Sequence, residues 1–178
     1  MDAILILGYF ILFLIATILA YFFAIPFLFG APYDISRKKA LKNIIKLTNP
    51  KKGDLIAELG SGDGRICIEL AKRGAEVHGF EFNIFLVWLS RRKIKKLGLE
   101  NRIKIYWGNF FMADLSKYNK IVFFQFKSIT KKLGEKLKKE LKRGSLVISH
   151  QWKIQDWKIK KKLGKFNYSY GEVYLYRV

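Results

Sequence analysis

The stretch Asp54-Leu-Ile-Ala-Glu-Leu-Gly-Ser-Gly-Asp-Gly-Arg65 decides how the rest of the chain is read. Leu55, Ile56, Ala57 and Leu59 make a short apolar run of the kind a buried strand carries, and it leads directly into three glycines. Beyond them Ile66, Cys67, Leu70 and Ala71 share one helical face, with Glu69, Lys72 and Arg73 on the other. Strand, glycine turn and helix form the corner where open α/β sheets bind ligands, at the carboxyl edge of the strands. Gly60, Gly62 and Gly64 remove the Cβ atoms that would hold a ligand away from the main chain.

The spacing narrows the ligand. Dinucleotide sites use G-x-G-x-x-G, whereas here the order is G-x-G-x-G and Arg65 stands in the sixth position. An acidic residue follows at the expected interval: Glu81 ends the apolar run Val77-His-Gly-Phe-Glu81 and suits the two hydroxyls of a ribose. E-L-G-S-G-D-G with a later glutamate resembles the cofactor motif of class I methyltransferases that use S-adenosyl-L-methionine. A glycine turn in an unrelated α/β protein is the rival reading.

Composition sets further bounds. The 178 residues suffice for one domain with a proper core, and 34 Lys and Arg against 14 Asp and Glu give a net charge of +20. Such a surface favours anionic partners: nucleic acid, anionic lipid or acidic protein. The single cysteine, Cys67, excludes an intrachain disulfide framework, and it lies on the apolar stripe of the first motif helix. With only two histidines, far apart in sequence, no metal site is expected.

Residues 3–25 carry no charge and are mainly Ile, Leu, Phe and Ala. As a helix this run is long enough to cross the ~30 Å hydrocarbon core. A cleaved signal peptide would want a basic start and a shorter apolar core, but the chain opens Met1-Asp2. Asp2 precedes the run, while Arg37, Lys38, Lys39 and Lys42 follow it. The positive-inside rule then puts the remainder on the cytoplasmic side, or the matrix side in an organelle. The expected division is residues 1–30 as a single-pass membrane anchor and 31–178 as the catalytic domain.

After an apolar, extended exit segment between Pro26 and Tyr33, Ser36 is placed to cap a helix with Ala40, Leu41, Ile44 and Ile45 on one side. Further strands are expected at 76–82, 102–107, 119–126 and 145–149, with helices after Asn83 and around Leu133, Leu137 and Leu141. The lysine runs at 91–96, 131–143 and 158–165 read as solvated helix faces that could also lie against anionic lipid. Phe166, Tyr168 and Tyr170, then Gly171-Glu172, then 173–178 read as a β-hairpin. The expected fold is a Rossmann-like seven-stranded α/β sheet, five parallel strands plus a C-terminal antiparallel hairpin, preceded by one transmembrane helix.

Local phrases point to a narrower group: Pro32-Tyr33, E-L-G-S-G-D-G-R at 58–65, Gly-Phe-Glu-Phe-Asn at 79–83, Gly-Asn-Phe-Phe at 108–111, Val-Ile-Ser-His at 147–150, and Trp157. Together they resemble the small protein-lysine methyltransferases of archaea and their mitochondrial relatives, which modify the adenine nucleotide translocase and the ATP synthase c-subunit. The resemblance covers roughly residues 32–178. It implies that Glu58, Gly60, Ser61, Gly62, Asp63 and Gly64 lie along the methionine end of S-adenosyl-L-methionine. Glu81, Phe82 and Asn83 would lie at the ribose, and Asn109 and Phe110 at the adenine. Where relatives carry a Pro-x-Pro segment after the Pro-Tyr pair, this chain has Asp34-Ile-Ser-Arg37.

Methyl transfer from a sulfonium is an in-line displacement, so the protein chiefly positions a neutral amine. An apolar channel lowers a lysine's pKa by desolvating the ammonium, and Tyr33, Phe124, Gln125 and Phe126 are candidates to wall it. No dedicated general base is expected. His78, within a strand, reads as structural, and His150 ends a strand nearer the ligand edge. The function expected is methylation of lysine on a membrane-associated protein. An RNA methyltransferase, a lipid or small-molecule methyltransferase, and a non-catalytic membrane scaffold are the alternatives.

Overall fold

Seven strands form one mixed sheet in the computed structural model, which describes residues 2–29, 38–164 and 171–178. The elements in order are α1 (Asp2–Phe29), α2 (Lys38–Thr48), β1 (Leu55–Leu59), α3 (Arg65–Ala71), β2 (Glu76–Glu81), α4 (Ile84–Lys96) and β3 (Ile103–Trp107). They continue with β4 (Lys120–Phe123), α5 (Lys127–Glu140), β5 (Leu146–His150), β6 (Lys161–Leu163) and β7 (Val173–Arg177). The strand order is β3-β2-β1-β4-β5-β7-β6. β1 to β5 pair in parallel, and β7 runs antiparallel to both β5 and β6.

Alternation along each strand divides the core into two layers. Ile56, Val77, Ile105, Val122 and Ile148 face α2, α3 and α4, packing with Ile44, Ile66, Leu70 and Val87. Ala57, Leu59, Phe80, Ile121 and Phe123 face the other way, onto Leu133 and Leu137 of α5 and Tyr118, Tyr174 and Tyr176. The every-fourth-residue leucines are therefore the buried stripe of α5. Its lysines are not all solvated: Lys136 bonds the Ala113 carbonyl at 2.8 Å, whereas Lys132 is exposed, with its ammonium 5.1 Å from the Phe111 ring centroid.

Three boundaries differ from the sequence expectation. α1 continues through Pro26 to Phe29 instead of giving way to an extended exit. A proline removes one donor, and the apolar residues on both sides carry the helix on. β4 stops at Phe123, because its neighbour β1 turns away at Gly60 and leaves Phe124 onward without a strand to pair on that side. Among its described residues the lysine run at 158–165 holds no helix face. Lys161–Leu163 is the edge strand β6, antiparallel to β7, with its lysines exposed. The hairpin is thus built from 161–163, and the strand expected from Phe166 to Tyr170 lies outside the described residues, as do Ser36 and Tyr33.

From Ala3 to Ala20 α1 has a mean hydropathy of 2.8, and none of that window is buried. By length and composition it could cross a bilayer.

Gly134, on the buried side of α5, lets the segment after β5 close down on the helix. A Cβ there would stand 2.5 Å from Ile154 Cγ2 and 3.2 Å from the Trp157 indole nitrogen. Helix propensity alone favours Gly134→Ala by about 1 kcal/mol. Overpacking against a branched side chain costs about 1–3 kcal/mol. The expected outcome is a lowered melting temperature, and a raised one in thermal unfolding would contradict this packing.

Candidate cofactor and acceptor site

The sheet order changes direction between β1 and β4, so the loops leaving their carboxyl ends part there and open a crevice. The glycine turn leaves β1 on one side, and Phe124-Gln-Phe126 leaves β4 on the other. The turn is held to β2: Gly60 N–H and Ser61 N–H both donate to the Phe80 carbonyl, at 2.8 and 3.0 Å. Gly60, Gly62 and Gly64 have φ of +81°, +53° and +79°, a region that side chains with a Cβ rarely adopt.

Three carboxylates fix this turn in different ways. Glu81, at the end of β2, accepts from Gly62 N–H at 2.8 Å through Oε2 and from Asn83 N–H at 2.8 Å through Oε1. It therefore sits against the turn although it is 19 residues away in sequence. Glu58 shares the face of β1 that meets α3. Its Oε2 accepts from Cys67 N–H and from the Cys67 thiol, each at 2.9 Å. Burial pushes the Glu58 carboxyl up to about 8, against the hydrogen bonds from Cys67 that pull it down. Burial, with the adjoining carboxyl, also drives the Cys67 thiol upward.

Asp63 is buried too, but it is paired: Arg65 donates two bonds of 2.9 Å and Lys93 of α4 one of 2.6 Å. Those cations outweigh its burial and hold its carboxyl well below the usual range. Neutral Glu58 and ionised Asp63 thus stand five positions apart, set by whether a cation is within reach.

The predicted set divides by direction. Gly60, Gly62 and Glu81 meet at the turn, where the Glu81 carboxylate accepts from Gly62 N–H. Ser61 packs behind the turn, where a Cβ on Gly79 would lie 2.8 Å from its Oγ. Gly64 lies against Ser90 of α4, 3.0 Å from where its own Cβ would be. Asn83 caps α4, accepting from Phe85 and Leu86 N–H at 3.0 and 3.3 Å. The Phe82 carbonyl accepts from the Trp107 indole at 2.9 Å. Asn109 is exposed and accepts from Phe111 N–H at 2.9 Å, opening a 3-10 turn over Phe110–Met112. This leaves its two amide hydrogens for a partner. Phe110 is buried, with its ring centroid 4.7 Å from that of Phe111.

Across the crevice Gln125 is buried, and its amide donates to the Leu59 carbonyl at 2.8 Å. A Cβ on Gly60 would overlap that same amide nitrogen. Phe124 lies 4.5 Å, centroid to centroid, from His150 at the end of β5. Phe126 caps α5. His78 is held by Tyr118 at 2.9 Å and Glu76 at 3.1 Å and is structural, its pKa lowered by burial. Sequence reasoning did not find Lys93, because no local pattern joins it to Asp63 30 positions earlier. Nor did it find Gln151, a non-glycine residue at φ +73° just after β5. Among the described residues no cluster of three or more metal-ligating side chains forms.

Two outcomes follow from this geometry. Gly60→Ala combines a left-handed backbone with an overlap on Gln125, and is expected to weaken S-adenosylhomocysteine binding by roughly a hundred-fold, about 3 kcal/mol. Calorimetry on a variant with an unchanged circular dichroism spectrum checks it. Glu58 gives a pH dependence. Above its unfolded pKa of 4.5 the unfolded chain has lost this proton, whereas the folded chain keeps it until about pH 8. The stability from this group is full below pH 4.5 and drains away as the pH rises to 8, by at most a few kcal/mol. Glu58→Gln cannot titrate, so it is expected to lose less melting temperature than the parent between pH 5 and 8.

Comparison with known proteins identifies the family. The family model described as the ANTKMT methyltransferase domain matches residues 58–161. A protein-lysine N-methyltransferase of Saccharolobus islandicus (strain REY15A) is 33% identical over 151 residues, covering 82% of this chain and 92% of its own length. The human lysine N-methyltransferase named for the ATP synthase c-subunit is 32% identical over 126 residues, covering 71% of this chain. The chain spans only 54% of that human relative. A solved RNA methyltransferase from Salinibacter ruber, in complex with S-adenosyl-L-homocysteine, superposes with a TM-score of 0.76 at 26% identity, over 81% of this chain and 93% of that one. The glycine turn, the carboxylate bound to it and the seven-stranded sheet therefore have one explanation: this chain belongs to the ANTKMT methyltransferase family and is an S-adenosylmethionine-dependent methyltransferase.

Proposed function

We propose that the protein transfers methyl groups to lysine side chains of a membrane protein, held beside that substrate by α1. In this reading residues 1–30 are a single-pass anchor, and residues 31–178 form the catalytic domain on the cytoplasmic or matrix side. The observation that carries it is the pairing of an uncovered apolar α1 with a domain whose archaeal relative, matched over 92% of its length, is named a protein-lysine N-methyltransferase. Relatives named for the ATP synthase c-subunit and the adenine nucleotide translocase support a membrane protein as the acceptor.

S-adenosylmethionine supplies an electrophilic methyl group on a sulfonium. The chain's own residues do the rest. Gly60 and Gly62 give a ligand access to the main chain, and Glu81 offers carboxylate oxygens to a vicinal diol. Asn109 has amide hydrogens for a base. At the end of β4, Phe124 and Phe126 bring apolar surface to the crevice, which desolvates an entering ammonium and favours the neutral amine. Gln125, anchored by its amide to Leu59, holds that segment against the turn. No step needs a titrating base from the protein, because water can take the proton before the amine enters.

The S. ruber relative and the charge of +20 favour one second reading, an RNA acceptor. Both are tested together by incubating the purified full chain with methyl-labelled S-adenosylmethionine, source membranes and total RNA. Label recovered on lysine of a membrane protein is expected, and Glu81→Ala should abolish it. Label confined to RNA or lipid would overturn the lysine assignment.

A further inference from the structure

We propose that the outer face of α4 docks on an anionic bilayer and so sets which way the catalytic domain faces. This rests on the reading of α1 as an anchor. Outside α1, the described residues expose eight large apolar side chains, and four of them meet around the start of α4, while Leu97, Tyr106, Met112 and Ile159 lie elsewhere. Ile84, Phe85 and Trp88 lie in the opening turns of α4. Trp107 joins them, since its indole is bonded to the Phe82 carbonyl two residues before α4 begins. Ile84 is 49%, Phe85 47%, Trp88 52% and Trp107 61% exposed, and together they make one cluster of such residues rather than isolated positions.

The second half of the same face is cationic. Ile84, Trp88, Arg91, Arg92 and Lys95 recur at helical spacing and, with Val87, line an open groove of about 470 Å³. Arg92 lies over the Trp88 ring at 5.5 Å. Arg91 is bound to the Ile105 carbonyl, with its shorter bond at 2.6 Å, which fixes its position at the sheet edge. From Ile84 to Lys96 there is no acidic residue. Indole and phenyl rings beside Arg and Lys suit the headgroup layer, where aromatics sit at the interface and basic groups meet lipid phosphate.

Chain length selects lipid over another anion. Residues 30–37 join α1 to α2, and a linker of that length reaches at most about 30 Å. A domain on so short a tether stays at the bilayer surface, so contact with the bilayer carries little further entropic cost. α4 also starts three residues after Glu81. Docking through its first turns would bring the ribose end of the crevice to the lipid surface, where a lysine on a membrane protein's loop is presented.

The test uses the full chain reconstituted in phosphatidylcholine vesicles, with and without phosphatidylglycerol, carrying shallow doxyl-labelled lipid to quench tryptophan. With phosphatidylglycerol present, quenching is expected to rise, to shrink in Trp88→Phe, and to fall at high salt. Replacing both Arg92 and Lys95 with Gln should lower the docked population roughly thirty-fold. Equal quenching in the parent and Trp88→Phe, or in neutral and anionic vesicles, would overturn the proposal and leave the face for an acidic protein. Flotation of the same vesicles after a carbonate wash reports on α1 alone. Protein that floats without the Trp88 signal defeats only the docking surface, whereas protein that does not float defeats the anchor and the docking together.

Discussion

The two hydrogen bonds of the Glu81 carboxylate hold the site together. One oxygen takes Gly62 N–H from the turn after β1, and the other takes Asn83 N–H at the entry to α4. A turn of three glycines has high conformational entropy, and those residues lose more freedom on folding than any others. Glu81 offsets part of that loss by clamping the middle of the turn to the neighbouring strand. Gly60 and Ser61 N–H are meanwhile satisfied by the Phe80 carbonyl. The same carboxylate is the group a ribose would engage. In the proposed reading a single side chain at the end of β2 would serve both the organisation of the turn and the recognition of the nucleoside.

Charge around that turn is arranged by proximity rather than by residue type. Asp63 reaches two cations and stays ionised, fastening the turn to α4. Glu58 reaches only Cys67 and stays protonated at neutral pH, fastening β1 to the start of α3. The neighbouring Asp63 and Glu81 carboxylates add to the burial that keeps Glu58 neutral.

Much of this was legible from the residues. The run from Asp54 to Arg65 gave strand, turn and helix because its periodicity changes at the glycines, and Glu81 was marked by its interval from them. The helix after Asn83 was marked by its apolar start, and in the fold Asn83 caps it. What escaped was non-local. The end of β4 depends on where β1 turns away, which the apolar stretch through Phe126 does not record. The short strand β6 was hidden because its lysines suit an exposed helix face and a sheet edge equally well. The salt link from Asp63 to Lys93 joins two segments that only the folded sheet brings together. The inward turn of Ser61 likewise depends on Gly79 lying beneath it.

Lys161 and Lys162 on β6 have a consequence of their own. Among the described residues β6 closes the sheet with one flank unpaired, and an open flank is a template for another chain's backbone. Lys162 is paired with Glu172, and the exposed Lys161 leaves a positive charge on that flank, which repels the same flank of a second copy. Lys161, one of the lysines that obscured the strand in the sequence, would thus guard against edge-to-edge pairing between copies.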